Sequence, residues 1–181
     1  MHIRKRNILF ALLGVVLILF VVMALFLNHQ RRANSIQQRQ VSNSTALQHR
    51  DADKSTRTIR NGTKIKIHFG KQHTINGVLN NSKTAKALIA RMPYKVHMNK
   101  YDTDFCGTTA HLPYNKSEVH HGWLNGDIDY ATDAPYFTIL YKGEKTSKQY
   151  GYQVNIGVIT SPLSEVRNLT GDYDVTVELA K

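Results

Sequence analysis

The strongest constraint on the fold is an uninterrupted apolar run near the start of the chain. Residues 8–27, twenty in all, read ILFALLGVVLILFVVMALFL and contain no charged or strongly polar side chain. A helix rises ~1.5 Å per residue, so the run matches the ~30 Å hydrocarbon core of a bilayer. A helix packed on a small soluble core would keep a polar face, which this run lacks. We therefore predict a single N-terminal transmembrane helix over 8–27, preceded by a basic tail, 1–7.

A cleaved signal peptide is the alternative, because Arg4, Lys5 and Arg6 supply a basic start. The apolar run, however, exceeds the ~7–15 residues of a usual signal core, and no small-x-small cleavage site follows it. Positive charges lie on both sides of the run, so the charge rule alone does not orient the helix. A short tail ahead of a signal-like helix usually stays inside. We therefore predict that the C-terminal domain is extracytoplasmic.

The positive charge of the chain is concentrated near the predicted anchor. The net charge is +11, but residues 64–181 contribute little of it, because their acidic and basic residues nearly balance. Arginines beside a membrane helix suit anionic lipid headgroups. The remaining domain shows no basic stripe of the kind that follows a phosphate backbone. The sequence thus predicts a membrane partner through 8–27 and no nucleic-acid partner.

Two further regions follow the anchor. Residues 28–62 are rich in Gln, Ser, Asn, Thr and Arg and contain no aromatic residue, which is typical of a polar stalk. Residues 63–181 have the length of a single domain with one core. The chain is therefore predicted to consist of a tail, an anchor, a stalk and one globular domain.

The pattern of apolar residues in the domain is mainly that of β-strands. Residues 63–69 alternate strictly, which places Ile65, Ile67 and Phe69 on one face. One clear helix, 82–92, is capped at Asn81 or Ser82 and stopped by Pro93. Many short strands with one helix predict a small closed β-barrel or a sandwich. The other predicted elements are strands at 73–79, 95–100, 126–131, 136–141, 149–160 and 173–179, and a short helix or turn at 163–169.

An ordered series of motifs resembles a known family, the bacterial cyclophilin-like fold domains, over about residues 63–181. The resemblance implies a closed β-barrel with the cyclophilin topology, which agrees with the strand pattern, and it implies little about function. The motifs are the strand 64–69, Leu79-Asn80, 84–88, Pro93, Leu112-Pro113, Gly126-Asp127-Ile128, 137–142, Tyr150-Gly-Tyr152, Ile156-Gly157 and 171–178.

The resemblance also raises the question of prolyl isomerase activity. Isomerase cyclophilins carry an arginine on a barrel strand, which stabilises the amide during rotation. The arginines of 63–181 are Arg91, on the predicted helix, and Arg167, in the C-terminal helical segment. A lysine would substitute poorly because it lacks the planar fork. We assign no catalytic residue, and the sequence favours a non-enzymatic role.

Aromatic residues of the second half of the domain are the best candidates for ligand binding. Some, such as Tyr141 and Tyr152, are expected in the core. Trp123 lies in a glycine-flanked loop and is harder to bury there. Exposed aromatic residues with polar tips suit peptide or glycan surfaces. The candidate ligand-binding residues are Tyr114, His120, His121, Trp123 and Tyr130.

Other reactive residues of the domain carry no specific signal. His111, His120 and His121 have no standard metal-ligand spacing, so they are interpreted as exposed loop histidines, and no metal or other cofactor is predicted. Cys106 has no evident histidine and acid partners for nucleophilic catalysis. Asp127 and Asp129, two residues apart, are expected on the outer, solvated face of a strand.

The functional prediction is a membrane-anchored extracytoplasmic binding module. Its ligand would be a peptide, another envelope protein or a wall polymer. The first alternative is an atypical peptidyl-prolyl isomerase that assists folding outside the membrane. The second is a structural accessory whose partner lies within the bilayer.

Overall fold

The computed structural model describes residues 23–25, 27–28, 30–32 and 52–181. The basic tail, most of the predicted anchor and most of the predicted stalk lie outside the described residues. Of the anchor, Met23, Ala24, Leu25 and Leu27 are described, and all four are helical. Among the described residues, no helix is both long enough and apolar enough to cross a membrane.

Eight antiparallel strands form a closed barrel, as the alternating pattern predicts. Around the barrel their order is β1-β2-β7-β5-β6-β4-β3-β8, and β8 pairs again with β1. The strands are β1 (Thr63–Phe69), β2 (His73–Leu79), β3 (Tyr94–Lys100), β4 (Asp104–Thr108), β5 (Asp127–Ala131), β6 (Tyr136–Leu140), β7 (Gln153–Ile159) and β8 (Tyr173–Leu179).

The inward residues of these strands form one continuous core. On β1, Ile65, Ile67 and Phe69 are buried, which confirms the predicted face. Ile67 lies opposite Ile75 of β2 and Val177 of β8, so three strands contribute to the same layer. Burying a side chain of this size contributes about 1.5–3 kcal/mol. The strict alternation of β1 therefore fixes its register, because a shift by one residue would expose the whole set.

Two helices pack against the core. Helix α1 (Lys83–Ile89) begins at Ser82, whose hydroxyl accepts a hydrogen bond from the Ala85 N–H at 3.1 Å, so the predicted serine cap is confirmed. Helix α2 (Leu163–Arg167) buries Leu163 and Val166. Because α1 follows β2 and α2 follows β7, and these strands are antiparallel, the helices lie at opposite ends of the barrel.

The structure differs from the predicted strands at three places. Strand β4 was not predicted. Strand β7 begins at Gln153, because a 3-10 helix (Glu144–Gln149) precedes it. Tyr152, expected in the core, is consequently exposed and has a positive φ of 64°. Leu179, expected to face inward, is exposed at the end of β8.

Part of the predicted stalk lies against the barrel. The Asp53 carboxylate accepts hydrogen bonds from Ser164 and from Arg167, the latter at 2.7 Å. The Ser55 hydroxyl donates to the Ile159 carbonyl. Burial raises the pKa of Asp53, but the Ser164 and Arg167 hydrogen bonds outweigh it and leave that pKa below its usual range. Residues 52–62 therefore contact the barrel, although the sequence pattern placed them with the stalk.

Candidate functional site

A groove of about 540 Å³ lies on the outer wall of the barrel, over β3, β4 and β6. We call it the aromatic groove, because four of its side chains are aromatic. A volume of this size is typical of pockets that bind small molecules or short segments. The residues that line it are Asn99, Tyr101, Thr103, Asp104, Cys106, Gly107, Thr108, Trp123, Tyr136, Thr138, Leu140, Tyr150 and Gln153.

The floor of the aromatic groove follows from the alternation of β4. Phe105 points into the core, so Asp104 and Cys106, its neighbours, point outward. Gly107 lets β3 and β4 approach closely, since a Cβ there would lie 2.2 Å from the His97 carbonyl oxygen. A larger residue at 107 would therefore push the two strands apart and change the floor.

Trp123 and Tyr150 form one wall of the aromatic groove. The indole is 8% exposed, and its Nε1–H donates to the Lys142 carbonyl at 2.9 Å. The ring of Tyr150 stacks on it, with centroids 5.5 Å apart and planes 27° apart. Trp123 was expected to be hard to bury in its loop, and that expectation is wrong. The chain folds the loop onto Lys142 and Ser147, which give the indole and its backbone N–H polar partners.

Asp104 is the one charged side chain in the described lining of the aromatic groove. The Thr103 hydroxyl donates to its Oδ1 at 3.1 Å. Burial raises the pKa of Asp104, and the Thr103 hydrogen bond opposes that shift only in part. Burial and then the charge of Asp104 raise the pKa of the Cys106 thiol to about 12. Cys106 is therefore protonated at neutral pH, which makes it a poor nucleophile.

Gln153 closes the other end of the aromatic groove. Gln153 is 8% exposed. Its backbone N–H and C=O each form a hydrogen bond with the backbone of His120, and both hydrogen bonds are 2.9 Å long. Among residues 52–181, its side-chain Oε1 finds no hydrogen-bond donor. A buried acceptor without a donor costs about 1–3 kcal/mol. The atom is itself enclosed by the protein, so it is not a contact point for an external ligand in this structure.

A second groove of about 490 Å³ shares Trp123 with the first. We call it the histidine groove. His120 and His121 lie in it together with Arg57, Lys145 and Lys148, and the one acidic residue of its described lining is Glu144. The described lining of the histidine groove therefore has a net positive charge, whereas the described lining of the aromatic groove has a net negative charge.

The predicted ligand-binding residues divide between these grooves and the core. Trp123, His120 and His121 meet in the histidine groove. Tyr130 lies in the core, where its hydroxyl accepts a hydrogen bond from the Leu112 N–H at 3.3 Å, so its ring offers no surface to an external ligand. Tyr114 is half-buried against it, with ring centroids 6.2 Å apart. Ligand binding by these residues remains a prediction.

The prediction that Asp127 and Asp129 face solvent is wrong, because both are fully buried. Asp127 forms a bidentate pair with Arg57, at 2.9 and 3.2 Å, and accepts from the Leu124 N–H at 2.9 Å. All five residues of β5 are buried, since the loop before β5 and the segment at Arg57 cover its outer face. Both side chains do lie on the outer face of β5, as the alternation predicts. The segments that cover this face, however, exclude solvent from it.

The buried carboxylate of Asp129 has fewer polar partners than that of Asp127, and none of its hydrogen-bond donors in the described part of the chain is a cation. Its Oδ1 accepts from the Asn155 amide at 2.9 Å, whereas its Oδ2 has no partner among residues 52–181. Burial and then the charge of Asp127 raise the pKa of Asp129 to about 8, against the opposing effects of Asn155 and Arg57. Asp129 is therefore mostly protonated at neutral pH.

Within the described part of the chain, no three residues of the types His, Cys, Asp and Glu meet as a metal site would require. His120 lies near Gln153, and His121 lies beside Tyr152 with ring centroids 5.4 Å apart. The two adjacent histidine side chains thus have different neighbours. Sequence reasoning missed Asp104, Tyr150 and Gln153 as lining residues, because β4 and the start of β7 were not recognised.

The family of the chain can now be stated. A family model described as the cyclophilin-like family matches residues 67–178, more than half of the chain. This chain belongs to the cyclophilin-like family. The match confirms the resemblance that the ordered motifs indicate.

Among solved structures, the cyclophilin-like domain is similar to a hypothetical protein from Archaeoglobus fulgidus, known from a solution structure. The TM-score is 0.55 at 16% sequence identity, and the match covers 66% of this chain and 95% of that one. At this identity the likeness shows the fold alone. A comparison with curated proteins found no match.

The two arginines of the cyclophilin-like match lie away from the aromatic groove. Arg91 follows α1 and its Nη2 lies 3.4 Å from the His111 carbonyl. Arg167 ends α2 and pairs with Asp53. Neither residue belongs to a strand. Arg57 and Arg60 precede β1, so none of the strands formed by residues 52–181 carries the arginine that the isomerase mechanism requires.

Proposed function

We propose that this cyclophilin-like domain is a binding module that holds an extended peptide segment in the aromatic groove. The observation that carries the proposal is the lining of this groove. It combines the rings of Tyr101, Trp123, Tyr136 and Tyr150 with the polar side chains of a strand floor. Aromatic residues with polar tips supply large contact areas with few rotatable bonds, which favours peptide recognition.

The position of the aromatic groove also favours a segment that binds through side chains. The barrel is closed, so its strands have no free edge to which a peptide strand could be added. Tyr101 and Tyr150 are each 54% exposed and stand at the rim of the groove. A peptide lying between them would cover apolar ring surface that is now in water.

The alternative function, prolyl isomerisation, has less support. Its electrostatic step needs a cation beside the rotating amide. The described lining of the aromatic groove contains no lysine or arginine, and its one charge is the carboxylate of Asp104. A carboxylate would not stabilise the carbonyl oxygen of a twisting amide.

The proposed location of the module rests on the sequence alone. Residues 8–27 have the length and composition of a membrane-spanning helix. We propose that they anchor the chain and that the barrel faces the extracytoplasmic side. Protease added to intact spheroplasts that express the full chain should then remove the barrel. Protection of the barrel until the membrane is dissolved would contradict this orientation.

A pair of tyrosines provides the sharpest test of binding. The full chain, solubilised in a non-ionic detergent, is applied to an array of blocked dodecapeptides of random sequence. Tyr150→Ala removes half of the groove wall, and we expect it to abolish most of the signals. Tyr152→Ala is the matched control, because Tyr152 is 53% exposed, like Tyr150 at 54%, but does not line the aromatic groove.

The outcomes separate the two functions. Signals that Tyr150→Ala removes and Tyr152→Ala leaves would support the binding module. Equal loss in both variants would show that the aromatic groove is not the site. An isomerisation assay on Xaa-Pro peptides completes the comparison. Acceleration above the uncatalysed rate that Tyr150→Ala abolishes would replace the binding module by the isomerase.

A further inference from the structure

We propose that the Asp104 end of the aromatic groove recognises an arginine side chain of the bound peptide. The inference rests on the proposed function, because it assigns a chemistry to a ligand of the same groove. Two observations carry it: a half-buried carboxylate that has no cationic partner among residues 52–181, and the aromatic side chains that line the same groove.

The carboxylate of Asp104 has no positive partner in the described part of the chain. The ion pairs formed by residues 52–181 do not include it, and its hydrogen-bond partner is the neutral hydroxyl of Thr103. The nearby Lys142 pairs instead with Asp102 at 2.8 Å. A half-buried carboxylate with so little compensation gains more from a ligand cation than a solvated one does.

The aromatic wall and this carboxylate line the same groove. A Cβ added at Gly143 would lie 2.8 Å from Thr103 Cγ2 and 3.5 Å from Trp123 Cζ2. The indole therefore stands close to Thr103, the neighbour of Asp104 in the chain. Tyr150 stacks on that indole. A cation is attracted to the face of an aromatic ring, and a guanidinium also stacks on it.

The lysine that lies nearest in the sequence does not compete for the site. The Lys100 Nζ donates to the Arg167 and Leu169 carbonyls and lies over the rings of Phe105 and Tyr141, at 5.7 and 5.8 Å from their centroids. It is held by the C-terminal end of α2 and is not part of the groove lining.

Gln153 lies at the opposite end of the groove lining from Asp104. The register places Asp104 beside Leu140, and it places Gln153 beside Ala131, which faces Tyr136. The path from Asp104 to Gln153 crosses three strand spacings, from β4 through β6 and β5 to β7, and runs four residues along β6. Together these steps amount to about 20 Å. An extended peptide of about six residues covers this length. A peptide of this length can therefore extend from Asp104 to the Gln153 end of the groove lining.

Arginine fits this site better than lysine does. The guanidinium is planar, so it can donate to both oxygens of a carboxylate and still place a face against a ring. An ammonium is a more strongly hydrated point charge, and it loses more hydration on entering an aromatic site. We therefore expect the order arginine, then lysine, then neutral side chains.

The test uses the full chain in a non-ionic detergent and the fluorescence of Trp123, which is the one tryptophan of the sequence. The probes are blocked hexa-alanine peptides in which the first or the last residue is arginine, citrulline, lysine or norleucine, so that both chain directions are covered. Citrulline has the shape of arginine without its charge. We expect arginine to bind about tenfold more tightly than citrulline.

Two variants assign the preference to Asp104. Asp104→Asn should lower the affinity for the arginine peptide to that of the citrulline peptide and leave the citrulline affinity unchanged. Asp104→Glu, which keeps the charge, should retain part of the preference. Asp133→Asn is the matched control, because Asp133 is an exposed acid that does not line the groove and forms no ion pair among the described residues. It should bind both peptides as the wild type does.

Failure of the inference differs from failure of the proposed function. Equal affinities for the arginine and citrulline peptides, with binding still lost in Tyr150→Ala, would overturn the arginine site and leave the groove as a binding site. Preference for arginine that survives in Asp104→Asn would also overturn it. No saturable change with any peptide would overturn both.

Discussion

Two regions of the barrel wall bury carboxylates and compensate them differently. Around β5, Asp127 is fully buried and is paired in bidentate fashion with Arg57, whose side chain is 35% exposed. At the start of β4, Asp104 is half-buried and has the Thr103 hydroxyl as its partner. Breaking a buried pair usually destabilises a protein, whereas removing an uncompensated charge does not. The comparison suggests that Asp127 stabilises the fold and that Asp104 is available to a ligand.

At a fixed neutral pH, the largest expected effect is therefore the loss of stability in Asp127→Asn. Asp127→Asn should lower the free energy of unfolding by about 2 kcal/mol, because Arg57 loses its ion pair and the Leu124 N–H keeps only a weaker acceptor. Asp104→Asn should change it by less than about 0.5 kcal/mol or raise it. Urea unfolding of the full chain, followed by Trp123 fluorescence, measures both. Similar losses in the two variants would remove the distinction between the regions.

The next effect is on the pH dependence of stability, and it concerns Asp129. Its pKa is about 8 in the folded protein and near 3.8 in the unfolded chain. Between these values the folded state binds more protons at this site than the unfolded state. The stability that the site contributes is therefore complete below pH 4 and is lost as the pH rises to about 8.

Asp129→Asn removes this titration. The free energy of unfolding of the variant, relative to wild type, should rise steadily from about pH 4 to about pH 8 and be constant above that range. Urea unfolding at a series of pH values gives the difference directly, and other titrating groups cancel in it. Parallel curves for the two proteins would mean that Asp129 is ionised in the folded state at neutral pH.

The smallest effect is on the reactivity of Cys106. Burial and the charge of Asp104 hold the pKa of this thiol at about 12, so wild-type alkylation by iodoacetamide should be slow. Asp104→Asn removes a nearby negative charge and should speed alkylation about threefold, with the pH profile shifted to lower values. Asp133→Asn, at an exposed acid outside the groove lining, serves as the control. Unchanged rates in Asp104→Asn would show that the carboxylate does not act on the groove floor.

The sequence predicted the barrel well, because alternation is a direct consequence of a wall with one buried face. It identified β1, β2, α1 and β8 closely. The prediction was wrong at Tyr150 and Tyr152. Both residues alternate in phase with Val154, so the pattern extends the predicted strand back to residue 149. A 3-10 turn and a left-handed residue precede that strand, and neither has a hydrophobic period. The prediction that Leu179 faces inward was wrong for a related reason, because alternation does not show where the barrel ends.

The candidate site was harder to predict than the fold. Alternation correctly places Asp127 and Asp129 on the outer side of β5, but whether that side is covered depends on Arg57, which is 70 residues away from Asp127 in the chain. In the same way, Trp123 is buried by Lys142, Ser147 and Tyr150. Contacts between such distant segments have no local signature. Arg57 lies in the region that the sequence predicts as a stalk, so nothing local predicts its contact with Asp127.

The position of β8 has a consequence for biosynthesis. This strand pairs with β1 on one side and with β3 on the other, so the barrel closes only after residues 173–179 have left the ribosome. Until then, β1 and β3 each present an unpaired edge, which is the kind of surface that promotes mispairing between nascent chains. The two lysines and the histidine of β1 lie on its outward face and interrupt that edge with polar side chains; they are Lys64, Lys66 and His68. Such residues hinder association between incomplete barrels while translation continues.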